Sequence, residues 1–362
     1  MLSYFVLYVI KWDSVDNNSN ETKCEGTILL SDFLKEQTTD QQSIKFEAGS
    51  FPEIEVIERE LMNALSGSKG TVREMCSHIL NAGGKRVRPL LVLFSGLVFS
   101  EVRQELVQAA VASELIHMAS LVHDDIIDKS GLRRNKPSIN YIWGNQYAVL
   151  CGDYLFARAF GILAENRLLE SMDYMVEAIE NMCQGEVNQA SAKYDTSVTT
   201  EAYYSRIAQK TAIFLKCCCQ SGAFVGGAGP VEVEALGEYG LQLGYAFQII
   251  DDILDFCGDI QSMGKPNCED LRDGNITLPV LLLLKDAEYG EWTKGTISSQ
   301  NLTEEALEEI KAVLQSRGIL GRAFEAAGVH IEKARNCLKL LPQNQYTQYL
   351  KVLADMLQRR IN

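Results

Sequence analysis

The chain has 362 residues, of which 46% are hydrophobic and 23% are charged, and it contains only seven prolines. This composition is that of a soluble globular protein and excludes extensive disorder. The formal net charge of -14 argues against a nucleic-acid partner, because phosphate backbones are bound by basic surfaces.

The chain begins with a short apolar segment, residues 2–12, which is followed by a polar stretch from Asp13 to about Gly49. The apolar segment is shorter than the roughly 20 residues that span a bilayer, and it lacks the basic start and the cleavage site of a signal peptide. We therefore predict that residues 1–50 form a poorly ordered or variable extension. At most, residues 2–12 make a peripheral membrane contact.

Downstream of this extension, apolar residues recur at helical spacing almost to the C-terminus, and no alternating strand series or internal repeat is apparent. The segments 104–123 and 235–257 have few charged residues until their C-terminal ends, which predicts interior helices of a bundle. The sequence therefore predicts an all-α domain over residues 51–362.

The ten cysteines include the run Cys217–Cys219 but no CxxC pair. This usage predicts reduced thiols that act mostly as small core residues, in a protein of the cytoplasm.

Two stretches place three aspartates each at the end of an apolar segment. LVHDDIIDKSGL carries Asp124, Asp125 and Asp128, and FQIIDDILDF carries Asp251, Asp252 and Asp255. On a helix, the first and third aspartates of each set lie one turn apart on the same face. Each pair therefore places two like charges close together.

An apolar environment and a neighbouring like charge both raise the pKa of a carboxyl group, so both members of a pair stay ionised only beside a cation. Ligands that are all oxygen favour Mg²⁺, which keeps several waters and completes its shell with substrate phosphate oxygens. A single set is explained equally well as a solvated helix end. Because the set occurs twice, we predict two facing helices that clamp Mg²⁺ ions between them.

Basic residues occupy four short motifs: GGKRVRP with Lys85, Arg86 and Arg88; LRRNKP with Arg133 and Arg134; AQKTA with Lys210; and GKP with Lys265. In an acidic chain, basic groups near carboxylate sets are typical of diphosphate binding, for which Arg offers a bidentate grip. Taken singly, Lys210 and Arg86 are better explained by a surface ion pair, worth less than about 1 kcal/mol.

The motifs of several other enzyme classes are missing from the sequence, including HExxH, Walker A and GxSxG. His117 precedes Asp124 by two helical turns and lies on roughly the same face. This spacing leaves two interpretations open, a substrate contact or a core histidine with a satisfied hydrogen bond.

Together these motifs resemble those of the trans-isoprenyl (polyprenyl) diphosphate synthases. The resemblance covers about residues 51–360, through GGKRVRP, ELIHMASLVHDDIID, LRRNKPSIN, GDYLFARAF, QKTA, FQIIDDILDFCGD and GKPNCEDLRDGNITLP in the family's order. It implies an all-α isoprenoid-synthase-type bundle around a deep central apolar cavity, with residues 51–362 as the catalytic domain. It also implies an enzyme, usually dimeric, that joins isopentenyl diphosphate to an allylic diphosphate.

The resemblance further implies roles for individual residues. Isopentenyl diphosphate would be held by Lys85, Arg88, His117 and Arg134, and the allylic diphosphate by Arg133, Lys210, Thr211, Gln248 and Lys265. The Mg²⁺ ligands would be Asp124, Asp128 and Asp251, supported in catalysis by Asp125, Asp252 and Asp255. Metal ions and cationic side chains would stabilise the departing diphosphate, so no protein nucleophile is required.

Two positions depart from the family pattern. Cys268 stands where the family usually has glycine, and it is strained if that position needs a positive φ. Asn275 stands where many members have lysine.

Product length is predicted from the side chains one turn before Asp124. Short-chain members of the family typically carry bulky aromatic residues there, whereas this chain has Ala119 and Ser120, with Ile116 as the next candidate floor of the cavity. We therefore predict a medium- or long-chain all-trans product of the kind that supplies quinone side chains, and that Ala119→Phe shortens it.

Three alternatives stay open at this point. The chain could be a geranylgeranyl-type short-chain synthase, or the catalytic subunit of a heteromer with a small partner rather than a homodimer. A terpene cyclase also uses DDxxD, but its second metal site normally mixes Asn, Ser or Thr with Glu.

Overall fold

The computed structural model describes residues 52–134, 136–257, 268–300 and 302–358. The predicted N-terminal extension, its proposed membrane contact and Lys265 lie outside these residues.

The described residues are mostly helical, with very little strand, as predicted. The helices are α1 (Pro52–Leu65), α2 (Gly70–Asn81), α3 (Val87–Leu97), α4 (Gln104–Ile127), α5 (Ile139–Trp143), α6 (Asn145–Glu165), α7 (Leu169–Ser191), α8 (Thr200–Ile207), a π-helix (Ala208–Ala212), α9 (Ile213–Gly226), α10 (Pro230–Cys257), α11 (Glu269–Arg272), α12 (Leu278–Leu283), α13 (Gly290–Ser298), α14 (Glu304–Ser316), α15 (Ile319–Cys337), a 3₁₀ turn (Leu338–Leu340) and α16 (Gln345–Gln358). The strands are β1 (Leu132–Arg133) and β2 (Lys136–Pro137).

Helix α9 lies at the centre of the bundle and packs on α3, α4, α7 and α10. Its cysteine run Cys217–Cys219 is fully buried, which confirms the prediction of small core residues. Glycines let α9 approach its neighbours closely: a Cβ on Gly222 would lie 2.0 Å from the carbonyl oxygen of Val92, and one on Gly240 would lie 2.5 Å from that of Leu215. The close packing of α3, α9 and α10 therefore depends on the missing side chains.

The two predicted interior helices are present, with longer bounds than expected. Helix α4 continues to Ile127, so Asp124 and Asp125 lie in its last turn and Asp128 is its C-cap. Helix α10 begins at Pro230 and carries the whole second aspartate set.

A short antiparallel pair follows α4, with Leu132 opposite Pro137 and Arg133 opposite Lys136. The sequence predicted no strand, because two-residue strands are too short to show an alternating pattern. The pair folds the chain back after α4, which brings Arg133 within hydrogen-bonding distance of Asp125 on that helix.

Two described helices are long and apolar enough to cross a membrane by length and composition, α4 and α6. The apolar window of α4 is 78% buried and that of α6 is 39% buried. Helix α4 is thus a core helix, whereas α6 exposes much of its apolar surface.

Candidate functional site

A cavity of about 1130 Å³ opens between the ends of α4 and α10. Most of the predicted site residues line it: Lys85, Arg88, His117, Ser120, Asp124, Asp128, Arg133, Arg134, Lys210, Thr211, Gln248 and Asp251. Its apolar wall comes mainly from Leu121, Phe156, Ile179, Met182 and Phe247. The cavity therefore joins a strongly charged region to an apolar one.

The three aspartates of the first set do not all face the cavity. Asp124 and Asp128 line the cavity, and burial, with the charges of Glu186 and Asp128, raises the pKa of Asp124 to about 7 against the opposing charge of Lys210. Asp125, predicted to support the metal ligands, does not line this cavity. It accepts a 2.9 Å hydrogen bond from Nε of Arg133, and so it orients an arginine that does line the cavity.

The second aspartate set divides in the same way. Asp251 lines the cavity, whereas Asp252 and Asp255 do not. Asp252 is buried and accepts hydrogen bonds from the Tyr203 hydroxyl at 2.7 Å and from Nε2 of Gln248 at 3.0 Å. Gln248 in turn accepts a 2.9 Å hydrogen bond from the Thr211 hydroxyl. Asp252 therefore does not face the cavity but orients Gln248 directly and Thr211 through Gln248.

Asp255 is part of a turn that the sequence did not reveal. Its carboxylate oxygens accept hydrogen bonds from the backbone N–H groups of Glu269 at 3.0 Å and Asp270 at 3.2 Å, at the start of α11. Asp255 thus caps α11 and fixes Asp270, which lines the cavity.

Asp270 is a site residue that the sequence analysis missed. Burial and the charge of Asp251 raise its pKa to about 6, while Lys210 and a hydrogen bond from the Asn275 side chain lower it. The signal that could have found it was the group of three carboxylates in CEDLRD, one residue after the GKP motif. Asn275 also lines the cavity, so the second departure from the family pattern lies in the site.

Lys210 lies close enough to Asp124, Asp128 and Asp270 for their charges to interact. It sits in the π-helix, where it and its neighbour Thr211 both line the cavity, and short π segments are frequent at functional sites. Burial lowers its pKa, but the charges of Glu186, Asp124 and Asp128 outweigh burial and raise the pKa. Its Nζ lies 2.7 Å from Oε1 of Glu186, a cavity residue that the sequence analysis also missed. The ion pair expected of Lys210 is therefore present, but it is half-buried and belongs to the cavity lining.

Arg88 and His117 lie together at the buried, basic side of the cavity. Arg88 packs its guanidinium 4.9 Å from the Phe214 ring centroid, and its buried Nε has no hydrogen-bond partner among the described residues. Burial lowers the pKa of His117 far below its usual value, and the surrounding arginine charges lower it further. A neutral imidazole and a desolvated guanidinium together form a site for an anion.

Arg86 is the one basic residue of GGKRVRP that does not line the cavity. It is buried and forms ion pairs with Glu58 at 2.7 Å and Glu114 at 2.8 Å. The predicted surface ion pair at Arg86 is therefore corrected to a buried one.

Of the three residues predicted to set product length, one lies in the cavity wall and two lie in the core. Ser120 lines the cavity, whereas Ala119 and Ile116 are fully buried and do not belong to the lining. The effect of a bulky residue at Ala119 on product length stays a prediction.

The carboxylates fit a divalent cation that is shared with a ligand. No three His, Cys, Asp or Glu side chains of the described residues converge as a ready-made metal site. Mg²⁺ nevertheless requires only one or two carboxylates when phosphate oxygens and waters complete its shell. Burial and neighbouring carboxylates raise the pKa values of Asp124 and Asp270, so a bound cation would stabilise their ionised forms.

Comparison with known proteins gives consistent matches. The family model described as polyprenyl synthetase matches residues 69–316. Heptaprenyl diphosphate synthase component 2 of Geobacillus stearothermophilus is 37% identical over 85% of this chain and 96% of its own length. The crystal structure of a decaprenyl diphosphate synthase from Rhodobacter capsulatus has a TM-score of 0.80 at 32% identity, over 86% of this chain and 96% of that chain. The structure of a polyprenyl synthase from Caulobacter crescentus, complexed with calcium and isoprenyl diphosphate, has a TM-score of 0.79 at 32% identity. This match covers 85% of this chain and 95% of that chain.

Proposed function

Because the chain belongs to the polyprenyl synthetase family, we propose that this trans-polyprenyl diphosphate synthase is Mg²⁺-dependent and makes a medium- or long-chain product. Its fold and its enzyme class, both predicted from the sequence, are confirmed by these matches. The observation that carries the proposal is that Lys210, Asp124, Asp128 and Asp251 line one cavity, which also holds the desolvated Arg88.

The cavity suits two diphosphates. Lys85, Arg88, His117 and Arg134 bind isopentenyl diphosphate on the basic side, and Arg133, Lys210, Thr211 and Gln248 bind the allylic diphosphate near the carboxylates. The allylic carbon–oxygen bond breaks, a carbon–carbon bond forms to isopentenyl diphosphate, and the adduct loses a proton. The apolar wall excludes water from the allylic cation, and the basic side chains stabilise the departing diphosphate.

Mg²⁺ fits Asp124 and Asp128 on one side of the cavity, and Asp251 with Asp270 on the other. When bound, the ions would neutralise charge on the leaving diphosphate. The related Caulobacter crescentus synthase was solved with calcium and isoprenyl diphosphate, which supports a divalent cation together with a diphosphate ligand.

The first experiment tests the metal requirement and both carboxylate sets. Purified protein is incubated with isopentenyl diphosphate and farnesyl diphosphate, with Mg²⁺ or with a chelator, and the products are separated by chromatography. We expect condensation only with Mg²⁺, and we expect Asp124→Ala and Asp251→Ala each to lower turnover by at least about a hundredfold. Asp355→Asn, on α16 outside the cavity lining, is the control. Near-normal turnover of either folded Ala variant would contradict the two-cluster site.

We further propose a homodimer that uses the exposed apolar face of α5 and α6. Tyr141, Tyr147 and Leu150 are 72%, 48% and 56% exposed on this face. The alternative is a heteromer, since a relative is named component 2 of a heptaprenyl diphosphate synthase.

We also propose the cytoplasmic location that was predicted from cysteine usage. The nine described cysteines form no disulfide, which supports it.

A further inference from the structure

Arg86 has an unusual position for a large charged residue. It is buried, its backbone is left-handed at φ 53°, and it forms the N-cap of α3. Its Nε and Nη2 donate to the two carboxylate oxygens of Glu58 at 2.7 and 3.1 Å, and its Nη1 donates to Glu114 at 2.8 Å. One side chain thus ties α1, the start of α3 and α4 together. A left-handed non-glycine residue persists only where such contacts hold it.

The residues around this network belong to the basic side of the cavity. Gly84 lies between two guanidinium groups, since a Cβ there would be 2.8 Å from Nη1 of Arg86 and 2.7 Å from Nη1 of Arg134. Glu114 is buried one helical turn before His117, and its charge raises the pKa of both Arg88 and Arg134 against the effect of their burial. The Glu114 carboxylate is therefore a shared counter-ion for the arginines of this region.

We propose that Glu58, Arg86 and Glu114 form a positioning network for the isopentenyl diphosphate site, although none of the three lines the cavity. The inference rests on the proposed function, because it concerns how one substrate of that reaction is held.

The physical reason is electrostatic. Lys85, Arg88 and Arg134 line one side of the cavity and carry like charge, so they repel one another before the anionic substrate arrives. The buried Glu114 and the partly exposed Glu58 lie behind them and offset this repulsion without occupying the cavity. The planar fork of Arg86 spans both carboxylates and fixes the turn that carries Lys85 and Arg88, which lysine cannot do with a single ammonium.

The test is steady-state kinetics on the full chain, with each substrate varied in turn. Glu114→Gln keeps an acceptor for Arg86 but removes the charge. We expect its KM for isopentenyl diphosphate to rise about tenfold, equivalent to about 1.4 kcal/mol. The KM for the allylic substrate should change by less than about threefold, with kcat nearly unchanged, because the allylic site does not use this network. Arg86→Lys keeps the charge but loses the fork, so it should also raise the KM for isopentenyl diphosphate. Arg134→Ala shows the effect of removing a cavity residue itself.

Asp355→Asn is the matched control, because it breaks another partly buried ion pair, in which Asp355 lies 2.7 Å from Arg335. We expect it to lower stability and to leave both KM values unchanged. Glu58→Gln, at the more exposed end of the network, repeats the measurement if Glu114→Gln does not fold. If the Glu114→Gln variant changed both KM values equally, or lowered the melting temperature with neither KM changed, the proposed positioning network would be overturned. An inactive wild-type protein would instead overturn the proposed function itself.

Discussion

At the scale of single residues, the main finding is that adjacent aspartates have different functions. Asp124 faces the cavity while Asp125 holds Arg133, and Asp251 faces the cavity while Asp252 holds Gln248. Successive residues of an α-helix differ by about 100° in direction, so both carboxylates of a DD pair cannot point to one place. The second aspartate of each pair therefore orients a neighbour instead.

Cys268 gives a prediction at this scale. The sequence predicted strain if its φ is positive, and the structure shows φ 60° at the N-cap of α11 with the side chain 1% exposed. We expect Cys268→Gly to keep activity equal or higher. Its unfolding free energy should stay within about 1 kcal/mol of wild type, because relief of left-handed strain offsets the lost burial.

Cys268→Ala is the matched control, because it removes the sulfur but keeps the strain; we expect it to be less stable than Cys268→Gly in urea unfolding. A large loss of activity in the glycine variant would instead show that the thiol has a function of its own.

At the scale of elements, contacts between helices decide which face of each helix is functional. Helix α4 presents Ser120 and Asp124 to the cavity, while Ala119 packs in the core. Helix α10 presents Asp251 to the cavity and Gln242 to α15, where Gln242 accepts a 2.6 Å hydrogen bond from Nδ1 of His330. The same helix therefore serves both the site and the packing of the bundle.

Product length is the first prediction for these elements. Because Ser120 lines the cavity, we expect Ser120→Phe to shorten the product by one or more isoprene units, a turn of helix being about 5.4 Å long. Ala119→Phe is the matched comparison: its side chain lies in the packed core, where we expect overpacking to cost about 1 to 3 kcal/mol. Product chromatography and melting temperatures separate the two effects. A shorter product from a stable Ala119→Phe protein would favour the interpretation reached from the sequence, and an unchanged product from Ser120→Phe would exclude Ser120 from the wall.

The contact between α10 and α15 predicts a dependence on pH. Burial lowers the pKa of His330 to about 4, with a further contribution from Lys333. Its folded pKa lies below the unfolded value near 6.5, so protonation favours the unfolded state. This contribution is absent above about pH 6.5 and grows as the pH falls towards 4.

We compare wild type with His330→Gln, which cannot titrate but keeps an N–H donor. On lowering the pH from 7 to 5, wild type should lose about 1 to 2 kcal/mol more unfolding free energy than the variant, measured with urea. The carboxyl groups with raised pKa values affect stability with the opposite sign. They are the same in wild type and variant, so their contribution cancels when the two proteins are compared. Equal losses in the two proteins would show that His330 does not titrate as described.

At the scale of the whole molecule, one cavity of an acidic chain brings a group of cationic side chains together. Lys85, Arg88, Lys129, Arg133, Arg134 and Lys210 line it beside seven carboxylates, so its lining is close to neutral while the whole chain carries a net charge of -14. The site can therefore bind diphosphates although the surface as a whole does not attract polyanions.

The apolar face of α5 and α6 gives the prediction at this scale. We expect light scattering of the wild type to give twice the 40.3 kDa of the chain. Leu150→Asp should lower the mass towards one chain, because a carboxylate buried in an interface is strongly unfavourable. Val329→Asp, at a residue of α15 that is 54% exposed, should leave the mass unchanged. A monomeric wild type, or a Leu150→Asp protein that stays dimeric, would contradict this interface.

The sequence by itself determined the helical fold, the two aspartate sets and the basic motifs, because helical periodicity and short motifs are local properties of the chain. It could not determine which side of each helix meets which neighbour, since that depends on packing between residues far apart in sequence. Two contacts were therefore decided by the tertiary structure alone: the burial of Arg86 between Glu58 and Glu114, and the ion pair between Lys210 and Glu186. The same packing placed Asp270 beside Asp251 and directed Ser120, rather than Ala119, to the cavity.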